Sequence, residues 1–288
     1  MKIWCLLANI DDLLAVAGER LLYSPHEELI NIPIDYIDLS VGTNRELKVY
    51  YKGEEIELPD MFWPAISNTD SFVVENLLIN AGVKCALNLD EVGVARSKIA
   101  TYNRLAQNGI RVPKTLVFFT HPDKNVILEQ MSYPFVMKPD NGYGGEGVSL
   151  INNEAELDAY LANQVQGVAY MAQEYISTSF GKDIRVVMVN GEPYYSAMRN
   201  SNNPNEFRSN VHQGGEIKEF PIDDATKEYC KKIASLFDLP LLGLDLLIGD
   251  GEYVVVEVNG FPGMMPEISY GAHKMLIEGF KEKFRKNS

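Results

Sequence analysis

Three oxygen-bearing side chains near the C-terminus stand where strand-forming sequence should be apolar. Asp245 lies in the run Leu244-Asp245-Leu246-Leu247-Ile248, and Glu257 and Asn259 lie in Val254-Val255-Val256-Glu257-Val258-Asn259. Gly249-Asp250-Gly251-Glu252 joins the two runs, which reads as a β-hairpin. A charge in a buried strand is costly unless it holds a partner or a metal. Carboxylate and amide oxygens are hard ligands that suit Mg²⁺ rather than zinc, and Mg²⁺ is commonly shared with phosphates. The same residues could instead line a half-exposed, water-facing hairpin. Register separates the two readings. A two-residue loop at Asp250-Gly251 would set Asp245 opposite Val256 and turn Glu257 to the other face. A three-residue loop, Asp250-Gly251-Glu252, sets Asp245 opposite Glu257, as shared metal ligation requires, and Asn259 joins that face two residues on.

Phosphate-binding chemistry lies upstream. The segment Pro134–Lys138 reads as a strand ending in Lys138, followed by Asp140-Asn141-Gly142-Tyr143-Gly144-Gly145-Glu146-Gly147. Four glycines in six positions let backbone N–H groups form an anion-binding nest, with Gly144 and Gly145 at its centre. No G-K-[ST] closes the loop, and Val148–Ile151 continues as a strand, so the expectation is a lid over phosphates rather than a Walker loop. A flexible hairpin turn is the alternative. Lys98, Arg199 and Arg208 add cations. The strand Gln173–Ile176, with Glu174 and Tyr175, can supply an adenine slot, and Asp183 is a carboxylate for a ribose. The lone helical Lys98 could equally be a solvated surface residue.

Positioning these groups takes three segments, 1–95, 96–170 and 171–288. The first reads as a small α/β unit: a strand Lys2–Ala8, a helix Asp11–Leu22, strands Ile34–Leu39 and Val83–Asn88, a hairpin Val49–Ile56 around Lys52-Gly53, and a helix Ser71–Ala81. No glycine-rich dinucleotide fingerprint follows its first strand. The spacing then predicts one helix over Glu91–Asn108, strands Thr115–Phe119 and Ala169–Ile176, and helices Val126–Met131, Glu154–Gln164, Asp223–Phe237 and His273–Phe284. Asn190-Gly191 marks a hairpin between Asp183–Val189 and Pro193–Met198. Ser201–Gly215 is a long polar loop carrying Arg208 and His212, of the kind that is more often functional than decorative.

The bulk properties narrow the class. The 288 residues carry a formal net charge of −14, which disfavours nucleic acid and anionic membranes as partners. No apolar run is long enough to cross a bilayer. Three separated cysteines give neither a zinc motif nor a disulfide framework and suit a reducing cytoplasm.

Taken together the motifs resemble those of the ATP-grasp ligases, in their RimK-like branch. Gln173-Glu174-Tyr175-Ile176 with Asp183-Ile184-Arg185, the loop Phe207-Arg208-Ser209-Asn210-Val211-His212-Gln213-Gly214-Gly215, and Asp245 with Glu257-Val258-Asn259 carry the resemblance, which covers roughly residues 88–265. It implies an α/β, ATP-grasp fold with an N-terminal Rossmann-like subdomain. It also implies that Lys98, Lys138, Arg208, Ser209 and Asn210 reach the nucleotide and that Arg199 stabilises the transferred phosphoryl group. Asp245, Glu257 and Asn259 would hold two Mg²⁺ or Mn²⁺ ions. The implied reaction joins a small-molecule or peptide carboxylate to an amine through an acyl phosphate, in a homo-oligomer. Crosslinking of peptide side chains and phosphoryl transfer to a hydroxyl are the alternatives. His212 would shuttle a proton or serve only as a hydrogen-bonding residue.

Overall fold

Apolar alternation in the first segment resolves into a parallel sheet. The computed structural model describes residues 2–7, 29–34, 37–42, 47–64, 69–119, 122–140, 145–209, 215–260 and 262–286. The predicted helix Asp11–Leu22 lies outside them. The chain divides into two compact units, Met1–Asn88 with Ile277–Ser288, and Leu89–Leu276.

In the first unit β1 (Ile3–Leu7) pairs in parallel with β2 (Leu29–Pro33) and β6 (Met61–Trp63), and β7 (Lys84–Cys85) extends the sheet to the order β2-β1-β6-β7. Trp4, Leu6, Ile32 and Phe62 fill its core with Leu78 of helix α1 (Thr69–Asn80). A separate antiparallel sheet holds β3 (Ile37–Val41), β4 (Leu47–Tyr51) and β5 (Glu54–Ile56). Of the expected strand Ile34–Leu39, residues 37–39 belong to β3, while β2 ends before it, at Pro33, in the other sheet. The expected hairpin at Lys52-Gly53 is present: both residues have positive φ, 53° and 84°, which sets the strand twist of a two-residue turn.

The second unit opens with a correction. Instead of one helix over Glu91–Asn108 there are two, α2 (Leu89–Arg96) and α3 (Lys98–Gln107). Ser97 between them is extended, and its Oγ accepts from Ala100 N at 3.2 Å. A serine competes with the helix for its own backbone and wins as an N-cap. The break places Lys98 at the first helical position.

Two antiparallel sheets follow. β8 (Thr115–Phe118), β9 (Phe135–Pro139), β10 (Ser149–Ile151) and β11 (Tyr170–Glu174) form the order β10-β9-β11-β8, backed by α4 (Lys124–Gln130) and α5 (Glu154–Ala162) over a core of Ile127, Phe135, Met137, Leu157 and Ala172. β12 (Lys182–Val189), β13 (Glu192–Asn200), β14 (Glu216–Glu219), β15 (Leu241–Ile248) and β16 (Tyr253–Asn259) form the order β14-β13-β12-β15-β16, with helix α6 (Asp224–Ala234). The polar strand β14 carries no apolar alternation and escapes a pattern-based reading. The last helix, α7 (Pro266–Lys286), starts earlier than His273, because proline is well suited to a first helical turn.

Replacing the Ser97 cap with alanine is expected to cost about 1 kcal/mol of local stability. Deuterium exchange should accelerate in the first turn of α3. Unchanged exchange there would show that the cap does not hold the break.

Candidate active site

Strand register writes a charge pattern across one face of the five-stranded sheet. Asp183 on β12 is directly opposite Arg199 on β13, and Arg185 on β12 is directly opposite Asp245 on β15. Asp245 is in turn opposite Glu257 on β16, and Gly243 is opposite Asn259. Directly opposed residues share a face, so all six polar side chains lie on one side.

The Asp245–Glu257 pairing is the expected one, but the turn is not. Ile248 pairs with Tyr253, so the loop is Gly249–Glu252, four residues rather than three. That even register continues through Leu246 opposite Val255. A register shift between Leu246 and Asp245 leaves Val256 as an extra residue, a β-bulge, and sets Asp245 against Glu257. Loop length alone cannot reveal such a bulge.

The carboxylates are buried and held by cations. Asp183 and Asp245 are 4% and 3% exposed. Arg185 binds Asp245 through Nε and, at 2.9 Å, through Nη2. Arg199 binds Asp183 through Nε at 2.6 Å and through Nη2, and its Nη2 reaches Asp245 at 2.7 Å. Burial alone would raise the pKa of Asp245, but the Arg185 and Arg199 guanidiniums hold it at about 2. Asp183 is shifted upward by burial, with the neighbouring Asp245 charge adding to it. Arg199 is pushed further into its charged form because it serves both carboxylates, which overcomes its burial. Ser209 lies beside Asp183 and bonds its carboxylate.

Glu257 faces Lys98, with Nζ 3.3 Å from Oε1. Lys98 Nζ also donates to the Asp140 carbonyl at 3.3 Å. The Asp140 side chain accepts from Ser97 Oγ and from Ile99 N, both at 3.1 Å, so the residue at the base of the glycine segment is tied to the start of α3. Lys138 is buried on β9 and donates to Tyr102 Oη at 3.0 Å. Burial lowers its pKa to about 8, against the opposing pull of Glu257 and Asp140.

The glycine segment is described from Gly145 onward; Gly144 lies outside the described residues, as do Asn210 and His212 of the polar loop. Arg208 Nη1 donates to the Gly145 carbonyl at 2.9 Å, and Glu206 grips the same guanidinium. Tyr160 Oη donates to the Gly147 carbonyl at 2.8 Å. Gly147 has φ +69°, and a Cβ there would stand 3.0 Å from the Pro139 ring, so this end of the segment needs glycine twice over.

On the proposed adenine strand, the Glu174 carboxylate is committed to protein groups. Arg111 Nη2 reaches both its oxygens at 2.8 and 2.9 Å, and Lys114 N donates at 2.9 Å. Burial acts to raise its pKa, but these donors hold it below the usual carboxylate range. Arg111 also approaches Glu252 at 3.5 Å. Sequence reasoning missed Arg111 and Tyr102. Arg111 sits in the Gly-Ile-Arg-Val-Pro connector, where a helix stop masks it. Tyr175 packs edge-on against Phe207, with ring centroids 6.1 Å apart.

The donor set suits a divalent cation. Among the described residues no three His, Cys, Asp or Glu side chains converge as a metal cluster. The set is instead two carboxylates and one amide on one face. Both carboxylates hold positive charge, from Lys98 and from the arginines. Asn259 Nδ2 is buried with no hydrogen-bond partner among the described residues, and exchanging the amide's O and N would put an unpartnered oxygen in its place.

The chain is similar to known proteins. Residues 95–273 fit the RimK-like ATP-grasp domain. A probable alpha-L-glutamate ligase of Alkalilimnicola ehrlichii is 30% identical over 222 residues, covering 75% of this chain and 73% of the relative. The glutamate–LysW ligase ArgX of Sulfurisphaera tokodaii is 30% identical over 215 residues, 72% and 76% of the two chains. Among solved structures, the ATP-grasp ligase PsnB complexed with a phosphomimetic variant of its minimal precursor, Mg and ADP superposes with a TM-score of 0.67, over 96% of this chain and 98% of that one, at 16% identity.

Arg199 serves two buried carboxylates, so Arg199→Met should destabilise the second unit by about 3–5 kcal/mol, the cost of breaking a buried ion pair. Adding Asp183→Asn should recover part of the loss in thermal melting. A single variant that melts like the wild type would remove this ladder from the account of the site.

Proposed function

Because the chain belongs to the RimK-like ATP-grasp family, whose members are ATP-dependent carbon–nitrogen ligases using a divalent metal, we propose that it joins an amino acid of the glutamate type to a peptide, protein or small-molecule carboxylate. The observation that carries this reading is the one-face array of Asp245, Glu257 and Asn259 beside Lys98 and Lys138.

The chemistry has two steps. A carboxylate oxygen attacks the γ-phosphorus of ATP, the bond to the bridging oxygen breaks, and ADP leaves. The amine nitrogen then attacks the acyl carbon, the single bond from that carbon to the phosphate oxygen breaks, inorganic phosphate departs, and the nitrogen loses a proton to give the amide. Phosphoryl transfer asks the protein for positioning and charge neutralisation rather than a nucleophile. Lys98 and Lys138 bind the phosphates. Gly144, Gly145, Arg208, Ser209 and Asn210 close over them, and Arg199 faces the transferred group. The adenine lies on Glu174 and Tyr175, recognised by backbone groups, and Asp183 lies near the ribose. Asp245, Glu257 and Asn259 would hold two ions, Mg²⁺ or Mn²⁺, which when bound neutralise charge on the β- and γ-phosphates. The carboxylates now gripped by arginine and Lys98 are the ones that would take those ions. The assembly is a homo-oligomer, in a reducing cytoplasm.

An ADP-release screen over pairs of amino acids and carboxylates, with mass analysis of products, tests the reaction class. The expected product is an amide, and hydroxylamine should trap the activated carboxylate as a hydroxamate. A stable phosphorylated hydroxyl product would instead make the protein a kinase. In the active pair, Glu257→Gln and Asn259→Ala should each abolish ADP release and keep the native circular dichroism; full turnover in both would remove the metal assignment.

Lys138 makes nucleotide affinity pH-dependent. Its free-protein pKa is about 8. Bound phosphate favours the cation, so the complex holds the proton more tightly than the free protein does. Affinity should be level below that pKa and fall as pH rises through it, by up to about tenfold per unit. Lys138→Arg, charged throughout, should flatten the calorimetric profile between about pH 7 and 9.5. A level wild-type profile would show that Lys138 does not meet the phosphates.

A further inference from the structure

Tyr102 is a buried phenol at the crossing of three elements, and no part of the chemistry above uses it. It lies on α3, four residues after Lys98, and is 5% exposed. Its hydroxyl does two jobs at once. It accepts from Lys138 Nζ at 3.0 Å and donates to the Val256 carbonyl at 2.5 Å. Val256 is the residue that the β16 bulge leaves without a cross-strand partner, and the bulge is what sets Glu257 against Asp245.

β16 is the outer strand of its sheet, so its outward-facing backbone groups must find partners elsewhere. Two do so here: Val255 N donates to the Arg111 carbonyl at 2.9 Å, and Val256 O takes the Tyr102 proton. The second bond connects the bulge to the ammonium of β9. A phenylalanine of the same shape would leave the carbonyl without its donor and the buried ammonium without its acceptor, and unsatisfied buried partners are the costly case.

The geometry points to Tyr102 as a positioning residue: its hydroxyl locks the Val256 bulge to Lys138, so that the strand bearing Glu257 and Asn259 and the lysine facing the phosphates move as one body. This rests on the assignment above of Lys138 to phosphate and of Asp245, Glu257 and Asn259 to the metal. Its consequence is a link between metal and nucleotide. With the hydroxyl present, a metal that fixes β16 also fixes Lys138, and each ligand strengthens the other. Without it, each side is free to relax alone.

The test reads binding rather than turnover. Binding of ADP to the full chain is titrated at a series of Mg²⁺ concentrations, for the wild type, Tyr102→Phe and Tyr102→4-aminophenylalanine, whose aniline N–H can donate to Val256. In Tyr102→Phe the Mg²⁺ concentration giving half of the affinity gain is expected to rise about tenfold, the size of one unsatisfied buried partner. The aniline variant should return most of that shift. In the protein without metal or nucleotide, deuterium uptake over 254–259 should be faster in Tyr102→Phe than in the wild type. A tyrosine that only fills the core would lower the melting temperature and leave the Mg²⁺ requirement and the β16 exchange where they are, and that result overturns the inference. A wild-type protein whose ADP affinity ignores Mg²⁺ overturns the metal assignment along with it. A wild type that responds to Mg²⁺ as Tyr102→Phe does overturns the inference alone.

Discussion

Buried carboxylates on a sheet face demand cations, and that demand organises the second unit. Taking Asp245 out of water costs several kcal/mol unless opposite charge and hydrogen bonds replace the lost solvent. Arg185 does this from the adjacent strand β12, directly opposite Asp245, and Arg199 reaches it from β13, one strand farther along the sheet. Glu257, farther along the same row, draws Lys98 from a different element. The result is a set of ion pairs whose members carry the charges that phosphates and a divalent metal require. The cations satisfy the carboxylates in the protein itself, and under the proposed function a triphosphate with metal would offer each side an equivalent exchange.

Much of this was legible in the sequence where a local rule fixes the geometry. Asn190-Gly191 and Lys52-Gly53 form their two-residue turns with positive φ at both residues, as backbone twist requires. The apolar runs broken by Asp245, Glu257 and Asn259 do form paired strands. The failures share a cause: each depends on a partner distant in sequence. Ser97 ends a helix that periodicity would carry through, and its hydroxyl also meets Asp140, 43 residues on. The Val256 bulge is stabilised by Tyr102, 154 residues away, so no reading of the hairpin alone predicts it. Arg111 belongs to a connector by composition, yet it holds Glu174 and approaches Glu252.

The glycine segment shows the same division between local and distant control. Its sequence announces a backbone able to approach a ligand, and Gly147 meets that expectation with a left-handed conformation packed on Pro139. What sets its placement is side chains from elsewhere: Asp140 tied to α3 at one end, Tyr160 at the other, and Arg208 on the Gly145 carbonyl. Arg208 is gripped by Glu206, two residues before it, so its guanidinium is held in place by the protein itself. A preset side chain loses less freedom on binding than a solvated one.

The acidity of the whole chain and the cationic character of the site are reconciled by distance. A net charge of −14 would repel a triphosphate if all of it acted at the site. Surface charges in physiological salt are screened beyond about 8 Å, so most of that charge is not felt there. Lys98 and Lys138 stand within a few ångströms of Glu257 or Tyr102 in partly or fully dehydrated surroundings, where the same charge acts more strongly. Burial also has its cost, since it pulls Lys138 toward its neutral form. Glu257 and Asp140 counter that pull from nearby, keeping the ammonium charged near neutral pH. The local carboxylates are therefore part of what keeps a buried lysine charged.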